Sequence, residues 1–316
     1  MSTLSLLRPE YFLRPKQALK RLVQKVGLAS NPKTVESLEL PWHLAIGLIP
    51  GDEISRAIFH TGIYDLCLTE ALWRLTKEGS FCVDVGANVG YATSIMAKRA
   101  TKKGRVISFE PHPETFKKLS QNADSWSQKE GLAPITCYQT GISDSTGTRA
   151  LHIPEEFIHN SGMAHFYDED SPSPGCAADI PVQCTTLDQF IRDSGVEMID
   201  LLKIDIEGHE IQAFKGASQL LQAKKIRCIL FEDSRSSWRT PQDLYKDYLF
   251  LMDYGYSLFR LRRGIFGPVL EKLDDLKADN SSLWRGWEPP NFLAIADVSS
   301  DFAPLAQRGW LSLAGK

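Results

Sequence analysis

The sequence predicts an α/β protein with a mostly parallel sheet, because short apolar runs with strand character repeatedly lead into segments with helical periodicity. Three such runs cover residues 81–85, 105–109 and 201–206, and each has an acidic residue near its carboxyl end. Strands that alternate with helices form parallel sheets, whose carboxyl ends meet at the edge that binds ligands. We therefore expect these acidic residues at one ligand-binding edge.

The turn after the first strand contains two glycines, Gly86 and Gly90, and is preceded by Asp84. Glycine allows backbone angles that a Cβ atom forbids and lets a ligand approach the main chain. Asn88 breaks the dinucleotide pattern G-x-G-x-x-G, and Tyr91 stands where a phosphate loop would have lysine. The pattern D-x-G-x-x-x-G suits a cationic ligand without phosphate, such as S-adenosylmethionine. The alternative is an ordinary β–α turn.

The second strand is followed directly by Glu110. In nucleoside-binding α/β folds, an acid about twenty residues after a glycine turn binds the ribose hydroxyls. Glu110 is therefore a candidate cofactor residue. Its alternative role is a carboxylate at a helix N-terminus, because Pro111 and Pro113 mark the start of a helix.

Composition excludes several classes of protein. The chain has 316 residues, of which 43% are hydrophobic and 24% charged, and its net charge of −3 predicts no general attraction to nucleic acid. It contains no apolar stretch long enough to span a membrane and no signal-peptide pattern. The six cysteines form no C-x-x-C pair, so reduced thiols and a cytoplasmic location are expected.

We expect three parts along the chain: a basic helical leader over residues 1–44, a catalytic domain over 45–300 and a tail over 301–316. Basic and apolar residues mix over 1–30, so this segment could touch an acidic membrane surface. Packing on the domain, as an N-terminal helical extension, is the favoured interpretation. The sequence does not predict the oligomeric state.

A third strand is predicted over 135–139, and it leads to Ser143 and Asp144. These residues are candidates for hydrogen bonds to an adenine amine, since a polar turn at a strand's carboxyl end lies on the ligand rim. The equally supported alternative is a polar hairpin turn. The irregular segments 154–180 and 263–289 are predicted to be substrate-side loops, with residues 160–165 facing the substrate.

The second chemically informative stretch includes Lys203, Asp205 and Glu207, which alternate along a strand and therefore share one face. Buried charges must be paired or lie at the ligand edge, so Asp205 and Glu207 are candidate catalytic residues. The alternative for Asp205 is an ion pair with Lys203. His209 begins the next helix and is a candidate general base, or else only a polar helix-start residue.

A metal site is a further hypothesis. Asp205 and Glu232 are predicted at the ends of neighbouring strands, where two carboxylates could hold a divalent cation.

Taken together, these stretches resemble the FkbM family of S-adenosylmethionine-dependent methyltransferases. The residues that carry the resemblance are 62–65, 84–91, 109–111, 141–144, 203–210 and 291–295. The resemblance implies a Rossmann-like class I methyltransferase fold, with a seven-stranded sheet in the order 3-2-1-4-5-7-6 and the last strand antiparallel.

The resemblance also implies an enzyme that methylates a hydroxyl on a small molecule, sugar or natural product. By position it makes Asp84, Gly86, Asn88, Gly90 and Glu110 cofactor residues, with Ser143 and Asp144 near adenine. Asp205, Glu207 and His209 then lie where the chemistry is expected. The alternative from a different class is a non-catalytic module that binds S-adenosylmethionine. An oxidoreductase with a nucleotide cofactor is disfavoured by Asn88.

Overall fold

The fold was analysed in a computed structural model. It describes residues 36–50, 52–154, 164–166, 176–232, 248–264, 267–273 and 291–298. The predictions for the leader over 1–30, for residues 160–163, for most of the segment 263–289 and for the tail over 301–316 lie outside these ranges.

Strands and helices alternate as predicted over residues 81–138 and 176–232, whereas the described elements between residues 135 and 185 are all strands. The helices are α1 (Glu53–Thr61), α2 (Leu66–Leu75), α3 (Tyr91–Ala100), α4 (Pro113–Ser127), α5 (Leu187–Ser194), α6 (Glu210–Lys215) and α7 (Ser218–Gln222). The strands are β1 (Ser37–Glu39), β2 (Ala45–Gly47), β3 (Phe81–Val85), β4 (Arg105–Phe109), β5 (Ile135–Tyr138), β6 (Gly141–Ile142), β7 (Gly147–Pro154), β8 (His165–Phe166), β9 (Cys176–Thr185), β10 (Ile199–Ile204), β11 (Ile226–Glu232), β12 (Ser257–Gly264), β13 (Gly267–Lys272) and β14 (Asn291–Ile295). Residues 248–253 are also helical.

The main sheet has the strand order β13-β12-β14-β11-β10-β3-β4-β5. Read from β5, the first seven strands follow the expected order 3-2-1-4-5-7-6. Strand 7 of that order is β14, which runs antiparallel to β11 as expected. The predicted class I methyltransferase fold is confirmed. The prediction of seven strands was one short, because the chain turns back after β12 and β13 extends the edge of the sheet.

A second sheet of four strands, ordered β6-β9-β7-β8, includes parts of the segment predicted to be an irregular loop. The prediction of a loop over 154–180 was wrong at residues 165–166 and 176–180, which pair with β7. These residues form strands because they pair with a distant part of the chain, and the local sequence pattern does not indicate such pairing. The hairpin alternative for residues 140–148 also fails, because β5 pairs with β4 whereas β7 pairs with β9.

Apolar cores cover both faces of the main sheet. Successive residues of a strand point to opposite faces, so Leu201 joins one core and Leu202 the other. The first core includes residues of α2 and α3, and the second includes residues of α5, α6 and α7. None of the helices in the described ranges has the length and apolar character needed to cross a bilayer.

An amino-terminal hairpin, β1 and β2, precedes the helices and pairs residues 37–39 with 45–47. The hairpin spans the predicted boundary between residues 44 and 45. It is fastened to α4 by Trp126, whose indole Nε1 donates to the Ala45 carbonyl at 2.6 Å. The hairpin therefore packs beside the helix that follows β4.

Candidate active site

A cleft opens at the carboxyl ends of β3, β4 and β10, which is the edge where the acidic residues were predicted. The residues that line it are Ile54, Tyr64, Leu68, Gly86, Ala87, Asn88, Val89, Tyr91, Ala92, Glu110, Pro111, Leu151, Ala164, Phe166, Lys203, Asp205, Ile206 and Glu207.

The glycine turn forms the floor of this cleft, but its glycines serve the protein's own packing. Gly86 has φ +72°, and a Cβ atom there would lie 1.9 Å from the carbonyl oxygen of Asp205. Gly90 has φ +94°, and its Cβ would lie 2.9 Å from Cδ1 of Leu119 on α4. Both glycines are thus required by their positive φ angles, as expected, and by close contacts within the chain, and Gly86 also lines the cleft.

A buried ion network underlies the turn. The Lys203 Nζ donates to the Gly86 carbonyl at 2.8 Å and lies 3.4 Å from both Asp84 Oδ1 and Asp205 Oδ2. Asp84 is fully buried and does not line the cleft, and its Oδ2 accepts from the Thr93 hydroxyl at 2.6 Å. Burial lowers the pKa of Lys203, but Asp205 and Asp84 raise it more, so the ammonium stays charged. Asp84 therefore supports the turn from below.

Removing this ammonium should destabilise the protein. We expect Lys203→Met to lower the free energy of unfolding by about 3 kcal/mol, because it leaves the buried Asp84 carboxylate without its cationic partner. Urea unfolding at neutral pH measures the effect. The double variant Asp84→Asn with Lys203→Met should recover most of the loss. A loss below about 1 kcal/mol in the single variant would contradict the assigned role of the network.

Glu110 joins the turn to the start of α4. Its Oε2 accepts from the backbone N–H of Asn88 at 2.9 Å, and its Oε1 accepts from that of His112 at 3.0 Å. Asn88 is held at φ +49°, a conformation that costs free energy for a residue other than glycine. Burial raises the pKa of Glu110 to about 7, against the lowering effect of these two hydrogen bonds. Glu110 also lines the cleft.

The structure places Ser143, Asp144 and His209 away from the cleft lining. The Ser143 hydroxyl and His209 Nε2 are 2.9 Å apart and buried, and Asp144 forms an ion pair with Arg149 at 2.5 Å. The His209 ring lies behind Phe166, with ring centroids 4.9 Å apart. Burial and nearby Arg149 lower the pKa of His209 to about 3. In this position and neutral state, His209 is a poor proton acceptor for a molecule in the cleft.

Asp205 and Glu207 do reach the cleft, as predicted. Glu207 has φ +51° and is followed by Gly208 at φ +99°, so the chain turns sharply after β10. Strained non-glycine residues cluster at functional sites, which marks Glu207 as a functional candidate.

The candidate metal pair is Asp205 with Glu232. Burial raises the pKa of Glu232 well above its usual value, and Asp205, Glu207 and Asp65 add to the effect. Within the described ranges, however, no group of three or more histidine, cysteine, aspartate or glutamate side chains is arranged to hold a metal ion. The divalent cation therefore has no support from the structure.

Residue-by-residue prediction missed several cleft residues. Tyr64 faces the acids, and its pKa is raised well above the usual value by burial and then by Glu232, Asp205, Glu207 and Asp65. Leu151 and Phe166 come from the second sheet, where they are paired across β7 and β8. Tyr64 lies in one of the stretches that carry the family resemblance, which was a usable signal. Phe166 lies in the segment 154–180 that was predicted to be on the substrate side, but its strand pairing depends on contacts between distant segments.

Comparison with known proteins adds a family match. The sequence profile described as the Methyltransferase FkbM domain matches residues 84–258, more than half of the chain. Methyltransferase sdnD of Sordaria araneosa is 27% identical over 216 residues, which cover 61% of this chain and 79% of that protein. The hexuronic acid methyltransferase AglP of Haloferax volcanii is 27% identical over 147 residues, covering 46% of this chain and 54% of that protein.

Solved structures are more distant. A crystal structure of a methyltransferase FkbM from Methylobacillus flagellatus aligns with a TM-score of 0.43 and 17% identity, over 69% of this chain and 44% of that one. This chain thus spans less than half of that protein.

Proposed function

The chain belongs to the FkbM methyltransferase family, and on that premise we propose that it methylates a hydroxyl oxygen of a small molecule, with S-adenosylmethionine as the methyl donor. One observation carries this proposal: the acidic residues Glu110, Asp205 and Glu207 line a single cleft beside the glycine turn. Glu110 is suited to hold the methyl donor, and Asp205 and Glu207 are suited to act on the methyl acceptor.

The cleft residues fit S-adenosylmethionine. The ligand has a sulfonium, an ammonium and ribose hydroxyls, and three carboxylates face the cleft against the single ammonium of Lys203 in the described lining. Burial raises the pKa of Glu110 and so disfavours its ionised form, which a cationic ligand beside it would favour. Glu110 and the backbone of Asn88 would hold the cofactor, and when bound it supplies an electrophilic methyl group.

The chain's own residues would orient the acceptor and remove its proton. Glu207 lines the cleft at a strained backbone position just after β10, so we assign the hydroxyl proton of the acceptor to its carboxylate. Tyr64 stays protonated because its pKa is raised well above the usual value, so its hydroxyl can donate a hydrogen bond within the cleft. Leu151 and Phe166 add an apolar wall that helps to exclude water. Alignment of the reacting groups supplies the larger part of such a rate enhancement.

The acceptor class rests on the relatives. AglP is named for a hexuronic acid, and a sugar or natural-product hydroxyl is consistent with a cleft that combines carboxylates with an aromatic side chain. We therefore propose hexuronic acids, neutral pyranoses and hydroxylated aromatic compounds as the first panel to screen with labelled S-adenosylmethionine. Binding of the cofactor without methylation of any acceptor would favour the non-catalytic binding module.

The pH dependence of cofactor binding tests the role of Glu110. A cation and hydroxyl donors bind the ionised carboxylate better, so affinity should rise with pH through about 7 and level off above it. Calorimetry should show about a tenfold gain in affinity for S-adenosylmethionine between about pH 6 and about pH 8. Glu110→Gln should bind more weakly and lose this dependence. The proposed function fails if the wild-type protein binds no S-adenosylmethionine.

A further inference from the structure

A stripe of α4 contacts both the amino-terminal hairpin and the glycine turn. Leu119, Asn122 and Trp126 recur at the three- and four-residue spacing of one helix face. Leu119 and Trp126 pack where a Cβ atom on Gly90 would clash, at 2.9 and 3.2 Å. Asn122 lies between them and is 4% exposed. This face of α4 therefore packs against the glycine turn on one side and against the hairpin on the other.

The Asn122 amide joins these two parts by three hydrogen bonds. Its Oδ1 accepts from the Gly47 N–H at 2.7 Å, and its Nδ2 donates to the Gly47 carbonyl at 3.1 Å. The same Nδ2 donates to the Val89 carbonyl in the turn at 2.7 Å. The pair of bonds to Gly47 fixes which way the amide faces, so the hairpin orients the donor that holds Val89.

The bond to Val89 completes a clamp on the strained residue of the turn. Asn88 has φ +49°. Glu110 accepts from the N–H of Asn88, and Asn122 donates to the carbonyl of the next residue, Val89, so hydrogen bonds hold the backbone before and after this angle. A positive φ at a residue other than glycine costs free energy and persists only when its surroundings enforce it. Asn88 and Val89 both line the cleft. Loss of one half of the clamp should let the turn relax away from its binding conformation.

We propose that Asn122 is a positioning residue that holds the cofactor-binding turn in its strained conformation and couples it to the amino-terminal hairpin. The hairpin lies before residue 84, where the family match begins, yet it contributes to cofactor affinity without touching the cofactor. This inference rests on the proposed function, because it takes the turn to be the site of S-adenosylmethionine.

Calorimetric titration with S-adenosylmethionine tests the inference, at a temperature well below the melting temperature of each variant. Asn122→Asp keeps the oxygen that accepts from Gly47 but replaces the donor that serves two carbonyls. We expect this variant to bind S-adenosylmethionine about tenfold more weakly. That is the effect of losing one buried hydrogen bond, here the bond to Val89, that stabilises the binding conformation of the turn. Gly47→Ala acts from the hairpin side, since its Cβ would lie 2.8 Å from Asn122 Oδ1. It should weaken binding about threefold.

Ser55→Ala is the matched control. It removes a partly buried hydrogen bond from the Ile49 N–H, just after the hairpin, and leaves Asn122 untouched. Its affinity should stay within about twofold of wild type although its melting temperature falls. If wild type binds and both test variants bind equally well, the inference alone is overturned. If Asn122→Asp does not fold, Gly47→Ala decides. If wild type does not bind, the proposed function and the inference both fail.

Discussion

Gly86→Ala is expected to lower the free energy of unfolding by about 4 kcal/mol, because two costs act together. The residue has φ +72°, where any side chain is strained, and its Cβ would lie 1.9 Å from the Asp205 carbonyl oxygen. That oxygen belongs to the backbone, so relief requires the turn after β10 to move. Chemical denaturation monitored by circular dichroism measures the loss.

Gly79→Ala separates the two costs. Gly79 has φ +84°, but its Cβ would meet no atom within 4 Å, so this variant reports the backbone strain alone. We expect it to cost about 1 kcal/mol. Equal losses in the two variants would show that the approach of Gly86 to Asp205 is unimportant. Any Gly86→Ala protein that does fold should also show reduced turnover, because the same displacement moves the Asp205 side chain.

Glu207→Gln should lower kcat about a thousandfold, with the affinity for S-adenosylmethionine changed by less than about threefold. The amide keeps the size of the side chain but cannot accept the acceptor's hydroxyl proton. The measurement is the transfer of labelled methyl to an acceptor found in the screen. Asp205→Asn should cost less in kcat, because the assigned proton acceptor, Glu207, is still present.

His209→Ala distinguishes this assignment from the role suggested by the sequence. His209 is bonded to Ser143 and lies behind Phe166, so its loss should act through the wall of the cleft and raise KM more than it lowers kcat. Should His209→Ala lose turnover as fully as Glu207→Gln, the proton acceptor would have to be reassigned. Comparable activity of Glu207→Gln and wild type would likewise remove Glu207 from the reaction.

Much of the fold was predictable because its signals are local. The strand, glycine turn and helix from residue 81 to residue 100 show their periodicity within a short window, and so do the strands at 105–109 and 226–232. The second sheet was not predictable in the same way. Strand β8 has only two residues, and its pairing with β7 comes from contacts between distant segments. The extra edge strand β13 was likewise hidden in a segment read as a loop.

The sequence by itself determined the glycine turn, the acids at the strand ends and, through the family resemblance, the strand order. Only the tertiary structure decided which of these acids face the cleft. Glu110, Asp205 and Glu207 line it, whereas Asp84 is buried against Lys203. The candidate base His209 is likewise buried, against Ser143. The physical reason is that a strand's period tells which face a side chain takes, while its exposure and its partner depend on chain segments far away in sequence.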